Sequence, residues 1–178
     1  MAKYVALLRG INVGGKSLIK MSDLKLSMER AGYESVRTYI NSGNVFFESK
    51  IADTSSLASA IESLLLDDFT LNAKVVVLNK SDIDQLQASI PRDWGAKPDW
   101  KYNTLFMLRP GMESHVLQQV GELQSDIEIL IAAKGVVFQA IEFAQFSKAR
   151  SGKLASLPIY RDMTVRNFNT TKKIIELF

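Results

Sequence analysis

Five consecutive apolar residues, Tyr4-Val5-Ala6-Leu7-Leu8, open the chain as a strand buried on both faces. A polar, glycine-rich segment follows. Ser22 is then placed to cap a helix carrying Leu24, Met28 and Ala31 on one face, and Gly32 ends it. Val36 to Ile40 and Val45 to Glu48 are strand-forming runs, and Asn41-Ser42-Gly43-Asn44 between them reads as a hairpin turn. Leu57, Ile61, Leu64 and Leu65 recur at helical spacing, Lys74 to Leu78 is a further strand, and a helix over 81–90 stops at Pro91. The order up to the last strand is β-α-β-β-α-β, a ferredoxin-like arrangement.

Both tryptophans, two prolines and a glycine crowd into Pro91 to Trp100, which marks the boundary. Residues 1–92 form one subdomain, 93–97 the linker region, and 98–178 a second subdomain packed on the first. In the second half Asn103 to Leu108 is a strand and Glu113 to Leu123 a helix. Ile127 to Ile131 and Val136 to Phe143 make a hairpin around Lys134-Gly135. This related β-α-β-β unit is followed by a polar, basic stretch, Ser147 to Lys153, expected as a solvated loop, and by a C-terminal helix from about Phe168 to Leu177. The fold class is α+β in two subdomains.

Composition narrows the chemistry. The chain has 178 residues, ordinary globular apolar and charged fractions, and a formal charge of +3, which favours a polyanion partner only mildly. It contains no cysteine, so disulfides, thiolate metal sites and cysteine nucleophiles are excluded. The run at Tyr4 to Leu8 is shorter than a signal-peptide core and no stretch nears the ~20 apolar residues of a membrane span. The expectation is a cytoplasmic protein without a membrane partner. His115 is the sole histidine, reads as a surface residue, and has no second His or Cys with which to share zinc. No metal and no cofactor is expected.

Three segments carry a resemblance over essentially the whole chain: Leu7-Leu8-Arg9-Gly10-Ile11-Asn12-Val13-Gly14-Gly15, Thr38-Tyr39-Ile40-Asn41-Ser42-Gly43-Asn44-Val45-Phe46, and Met163-Thr164-Val165-Arg166-Asn167-Phe168-Asn169-Thr170. Together they resemble the bacterial domain-of-unknown-function family 1697. Asn41 stands where that pattern has glutamine, and Phe168 where tryptophan is common. The resemblance implies two α+β subdomains with ferredoxin-like character and no established activity.

Gly10 to Ser17 spells G-x-x-x-x-G-K-[ST] after a strand, the lettering of a P-loop. Two features oppose that reading. Leu18-Ile19-Lys20-Met21 separate the motif from the cap at Ser22, and the strand ending at Leu78 is followed by Asn79 where a Mg²⁺-binding Asp belongs. A more modest chemistry remains. Glycine N–H groups with Lys16 suit a phosphate or carboxylate, whereas a purely structural loop would pair Arg9 with an internal acid. In this topology the first strand's end and the first hairpin share one sheet edge, which gathers Arg9, Asn12, Gly14, Gly15 and Lys16 beside Asn41, Ser42 and Asn44. Arg166 and Asn167 precede the last helix, Asn167 as a natural N-cap and Arg166 as an anion partner.

The expected function is binding of a phosphorylated or otherwise anionic ligand, a nucleotide or a nucleic-acid backbone, at the Arg9–Lys16 loop. The alternatives are a small-molecule enzyme with its site between the subdomains, or a protein-interaction module. The oligomeric state is left open.

Overall fold

Tyr4 to Leu8 are buried without a break, and this decides the architecture of the first half. β1 (Ala2–Leu8) is a central strand. It pairs antiparallel with β3 (Asn44–Ser49) on one side and with β4 (Val75–Asn79) on the other. β2 (Glu34–Tyr39) completes a sheet of order β2-β3-β1-β4. The computed structural model describes residues 1–12 and 18–178. The chain divides into two compact units, Met1–Asp84 with Glu176–Phe178, and Gln85–Ile175.

In the first unit, α1 (Met21–Arg30) links β1 to β2 past β3, and α2 (Thr54–Phe69) links β3 to β4 past β1. These are two interleaved split β-α-β units, the ferredoxin-like arrangement. Leu24 and Met28 of α1 and Leu57, Ile61 and Leu65 of α2 pack with alternate strand residues into one core. Each fully buried leucine or phenylalanine there contributes about 1.5–3 kcal/mol. Asp53 caps α2 by accepting from the Ser56 N–H at 2.8 Å. Donation from the Ser55 and Ser56 hydroxyls and the Ser56 N–H holds its carboxyl at about 2, below the usual range. The expected cap at Ser22 is not formed. α1 begins a residue earlier, at Met21, with no side-chain cap, and the Ser22 hydroxyl turns to Asp23 instead.

The second unit repeats the plan. β5 (Trp100–Met107), α4 (Glu113–Val120), β6 (Glu128–Ala133), β7 (Val136–Glu142) and β8 (Met163–Asn167) give a sheet of order β6-β7-β5-β8. β8 is a fourth strand that sequence pattern did not reveal. Short 3-10 turns over Phe143–Gln145, Ser151–Ser156 and Pro158–Asp162 occupy the place of the second helix. The basic stretch expected as a solvated loop therefore lies partly in ordered turns.

A buried carboxylate holds those turns. Glu128 is 1% exposed and accepts N–H bonds from Gln124 and Arg150 at 3.0 Å and from Ser151 at 2.8 Å. Gln139 donates to the Ser151 carbonyl at 2.7 Å, and Asn103 donates to Gln139 at 2.9 Å. Burial pushes the Glu128 carboxyl up, but the N–H donors outweigh it and leave the pKa below its ordinary value.

Each fourth strand runs straight into a helix: α3 (Lys80–Ser89) after β4 and α5 (Phe168–Leu177) after β8. The junctions use the same device. Asn79 accepts from the Asp82 N–H at 3.0 Å, and Asp82 returns the bond to the Asn79 N–H. Asn167 accepts from the Thr170 N–H at 2.8 Å, the cap expected of it.

Glu128→Gln keeps the shape but removes the charge that three N–H groups point at. We expect it to cost about 1–3 kcal/mol in urea unfolding at neutral pH. Because the folded pKa is depressed, the carboxylate's contribution is present above its unfolded value of about 4.3 and is lost as pH falls through the folded one. The gap between wild type and Glu128→Gln should be flat near pH 7 and narrow below about pH 4.

Candidate functional site

Three chain connections of the first unit meet at one edge of its sheet, and backbone bonds tie them there. The Leu8 N–H donates to the Gly43 carbonyl and the Arg9 N–H to the Lys74 carbonyl, each at 2.8 Å. The end of β1, the β2–β3 hairpin turn and the entry to β4 are thus neighbours, as the β-α-β-β-α-β order requires.

Left-handed backbone shapes the corner. Gly10 and Asn12 have φ of +70° and +53°, and Ile40 and Gly43 in the hairpin have +50° and +75°. A positive φ in a β-branched residue is a real outlier, and Ile40 adopts it while 46% exposed. Gly43 has no substitute. A Cβ there would stand 2.7 Å from Ile11 Cδ1 and 2.8 Å from Leu8 Cβ. Ile11 is itself fully buried, so the glycine lets the hairpin close on β1 and on the residue after it.

Asn12 joins the two loops. Its Oδ1 accepts from the Ile19 N–H at 2.8 Å, and its Nδ2 donates to the Ile19 carbonyl at 3.0 Å. This clasp ties the chain at Asn12 to the chain at Ile19. The second Nδ2 hydrogen goes to the Asn41 carbonyl at 2.8 Å. Asn44 is completely buried and donates to the Tyr39 carbonyl at 3.1 Å and to Ser42 Oγ at 3.2 Å. The amides of Asn12 and Asn44 are therefore engaged in building the corner. Gly14, Gly15 and Lys16 lie outside the described residues.

The loops of this edge supply cations, and α2 supplies the carboxylate of Glu62 at the entry to β4. The connecting segments, 9–20, 40–43 and 70–74, carry Arg9, Lys16, Lys20 and Lys74 and no carboxylate. Lys74 reaches Glu62 of α2 at 2.7 Å. Arg9 is half-buried, and Lys20 and the Asn41 residue are exposed. The apolar Leu18 and Ile40 are 74% and 46% exposed. Val13 to Ser17 of the P-loop lettering lie outside the described residues, and the described surroundings differ from those of a nucleotide-hydrolysing P-loop. β1 lies between antiparallel neighbours, α1 starts only at Met21, and Asn79, at the end of β4, caps α3.

Of the expected site residues, Arg9, Asn12, Asn41, Ser42 and Asn44 come together in the first unit. Arg166 and Asn167 belong to β8 of the second. The Arg166 guanidinium is 6% exposed and donates to Thr164 Oγ1 at 2.8 Å and to the Val165 carbonyl at 2.9 Å. Burial pulls its pKa to about 10, which leaves it charged at neutral pH. His115 is exposed on α4. Sequence reasoning missed Gly43 and Ile11 as the fitted pair beneath the corner; the signal was the lone glycine between two asparagines.

Two four-stranded antiparallel sheets in succession, each followed by a helix capped by the asparagine at the end of its fourth strand, define a tandem ferredoxin-like α+β protein. The chain belongs to the family described as Protein of unknown function (DUF1697), whose model matches residues 1–138. That range includes the whole corner. The chain is similar to the structure of conserved bacterial protein SP0830 from Streptococcus pneumoniae, with a TM-score of 0.86 and 30% identity over 99% of this chain and 98% of that one. Among curated proteins no match is found.

Gly43→Ala meets both a steric and a backbone penalty, and we expect a loss of about 2–4 kcal/mol. Asn12→Ala removes the clasp and should cost about 1–3 kcal/mol. Equilibrium urea unfolding of both variants checks the order: Gly43→Ala is the more damaging.

Proposed function

We propose that the chain binds a phosphorylated or otherwise anionic ligand at the corner formed by the Arg9–Lys16 loop and the Asn41–Asn44 turn. The observation that carries this reading is the Asn12 bond to the Asn41 carbonyl. It fastens the glycine-rich loop to the hairpin at an edge whose connecting segments hold cations and no acid. Arg9 supplies a planar fork for two anion oxygens, and Lys16 a compact charge. The N–H groups of Gly14 and Gly15, unencumbered by side chains, allow close approach. Asn41 and Ser42 border the ligand. Asn12 and Asn44 act by holding both loops in place.

The proposal leaves out Arg166 and Asn167. The first is buried in its own strand and the second is occupied in capping α5. Both a nucleotide and a nucleic-acid backbone present the anion this corner accepts, and salt dependence separates them. A protein that neutralises several backbone phosphates loses affinity steeply with salt.

Thermal unfolding in the presence of pyrophosphate, ATP and a short oligonucleotide tests the reading. A ligand at 100 times its Kd adds about 2.7 kcal/mol, or roughly 5–10 °C in Tm for a chain of this size. The shift should vanish in the Arg9→Ala/Lys16→Ala double variant. No shift with any of these anions, or an equal shift in the double variant, overturns the proposal.

A further inference from the structure

The two units place corresponding strands at a sheet edge, β2 in the first and β6 in the second, and they treat those edges in opposite ways. β2 carries the devices that keep an open edge from pairing with another chain. Glu34 and Arg37 are exposed on it, Ser35 has a left-handed φ of +52°, and the pairing register breaks between Glu34 and Arg37. β6 has no left-handed residue and no register break, and its one charge, Glu128, is buried at its start. Ile129-Leu130-Ile131-Ala132-Ala133 holds no charge, proline or glycine, and its register with β7 is unbroken from Glu128 to Ala133. Ile131 is 39% exposed and Ala132 is exposed as well.

The ladder also fixes which backbone groups face outward. The Glu142 N–H donates to the Ile127 carbonyl, so Ile129, Ile131 and Ala133 turn their N–H and C=O groups toward β7 by the alternation of an antiparallel pair. Leu130 and Ala132 present theirs to the open edge. We propose that β6 is the interface at which a second copy of this chain pairs, antiparallel and about a two-fold axis through Ile131, joining two sheets into one of eight strands.

The pairing is self-complementary. Leu130 of one copy exchanges both backbone bonds with Ala132 of the other, and the symmetric pair repeats this. Ile131 faces its own counterpart in the close, non-hydrogen-bonded position, and Ile129 lies opposite Ala133. The same register sets the exposed Lys134 of each copy opposite Glu128 at the start of the partner's strand. The stretch between them is neutral, and no like charges are opposed. A contact of one short strand is small, so association is reversible and depends on concentration.

Sedimentation velocity from about 10 µM to about 1 mM, a span that brackets weak association, tests this on the full chain. Wild type should pass from monomer to dimer. Ile131→Lys sets two ammonium groups against each other on the axis and should weaken the dimer about tenfold or more. Ile131→Thr keeps strand propensity and should weaken it less, with the far-UV spectrum of wild type. Amide exchange on unmodified protein provides an arm that needs no variant. The Leu130 and Ala132 N–H groups should slow as concentration rises. A chain that stays monomeric throughout, a dimer indifferent to Ile131→Lys and Ile131→Thr, or a dimer whose Leu130 and Ala132 amides exchange as fast as in the monomer each overturns the proposal. Failure here leaves the anion-binding corner untouched, because that site lies on the other unit.

Discussion

The close approach of Gly43 to Leu8 and Ile11 is the constraint on which the first unit depends. The Leu8 N–H reaches the Gly43 carbonyl at 2.8 Å, and the glycine leaves no room for a Cβ above β1. That contact sets the register of β3 on β1. One face of the sheet packs against the helices, and a slip of one residue would exchange Val45 and Phe47 there for Phe46, which is buried on the opposite face. The same contact brings the hairpin turn against the chain leaving β1, so Asn12 finds the Asn41 carbonyl. Packing and candidate site follow from one missing side chain.

The corner combines strain with satisfaction. Its left-handed residues include Asn12 and Ile40, the latter a β-branched residue for which that conformation is unfavourable, and the surrounding bonds hold it. Asn12 alone makes three hydrogen bonds, and Asn44 two more. The bonds of Asn12 fix it to Ile19 and to the hairpin turn. The second unit uses a buried carboxylate for a comparable purpose. Glu128 gathers three backbone N–H groups and so orders a basic segment without a regular helix.

Where hydrophobic pattern is periodic, the chain could be read directly. Tyr4 to Leu8, the Asn41–Asn44 turn, the α2 face of Leu57, Ile61 and Leu65, and the C-terminal helix are each as their spacing predicts. Elements whose cause is tertiary were illegible. β8 hides because Arg166, expected as an anion partner ahead of the last helix, sits inside it, and because 3-10 turns rather than a helix lead into it. Glu128 and Gln139 read as ordinary strand polars until the 151–156 turns supply their partners. Trp94 packs edge-on against Tyr102 and Phe138 within the second unit, a placement no local pattern specifies. At the site, the adjacency of the two loops was legible from topology. The occupation of Asn12 and Asn44 by their own backbone was not, because it depends on φ angles that only the closed corner imposes.

We propose the corner as an anion receptor rather than a tightly built connection. Titration of pyrophosphate into uniformly ¹⁵N-labelled protein, followed through the backbone amides, addresses it most directly. An anion receptor should give saturable shifts concentrated at residues 9–20 and 40–43, including Gly14, Gly15 and Lys16, with the amides of β6 and of the Glu128 cluster unmoved. Shifts spread over scattered surface lysines, or none in the 9–20 segment at saturating pyrophosphate, would contradict it.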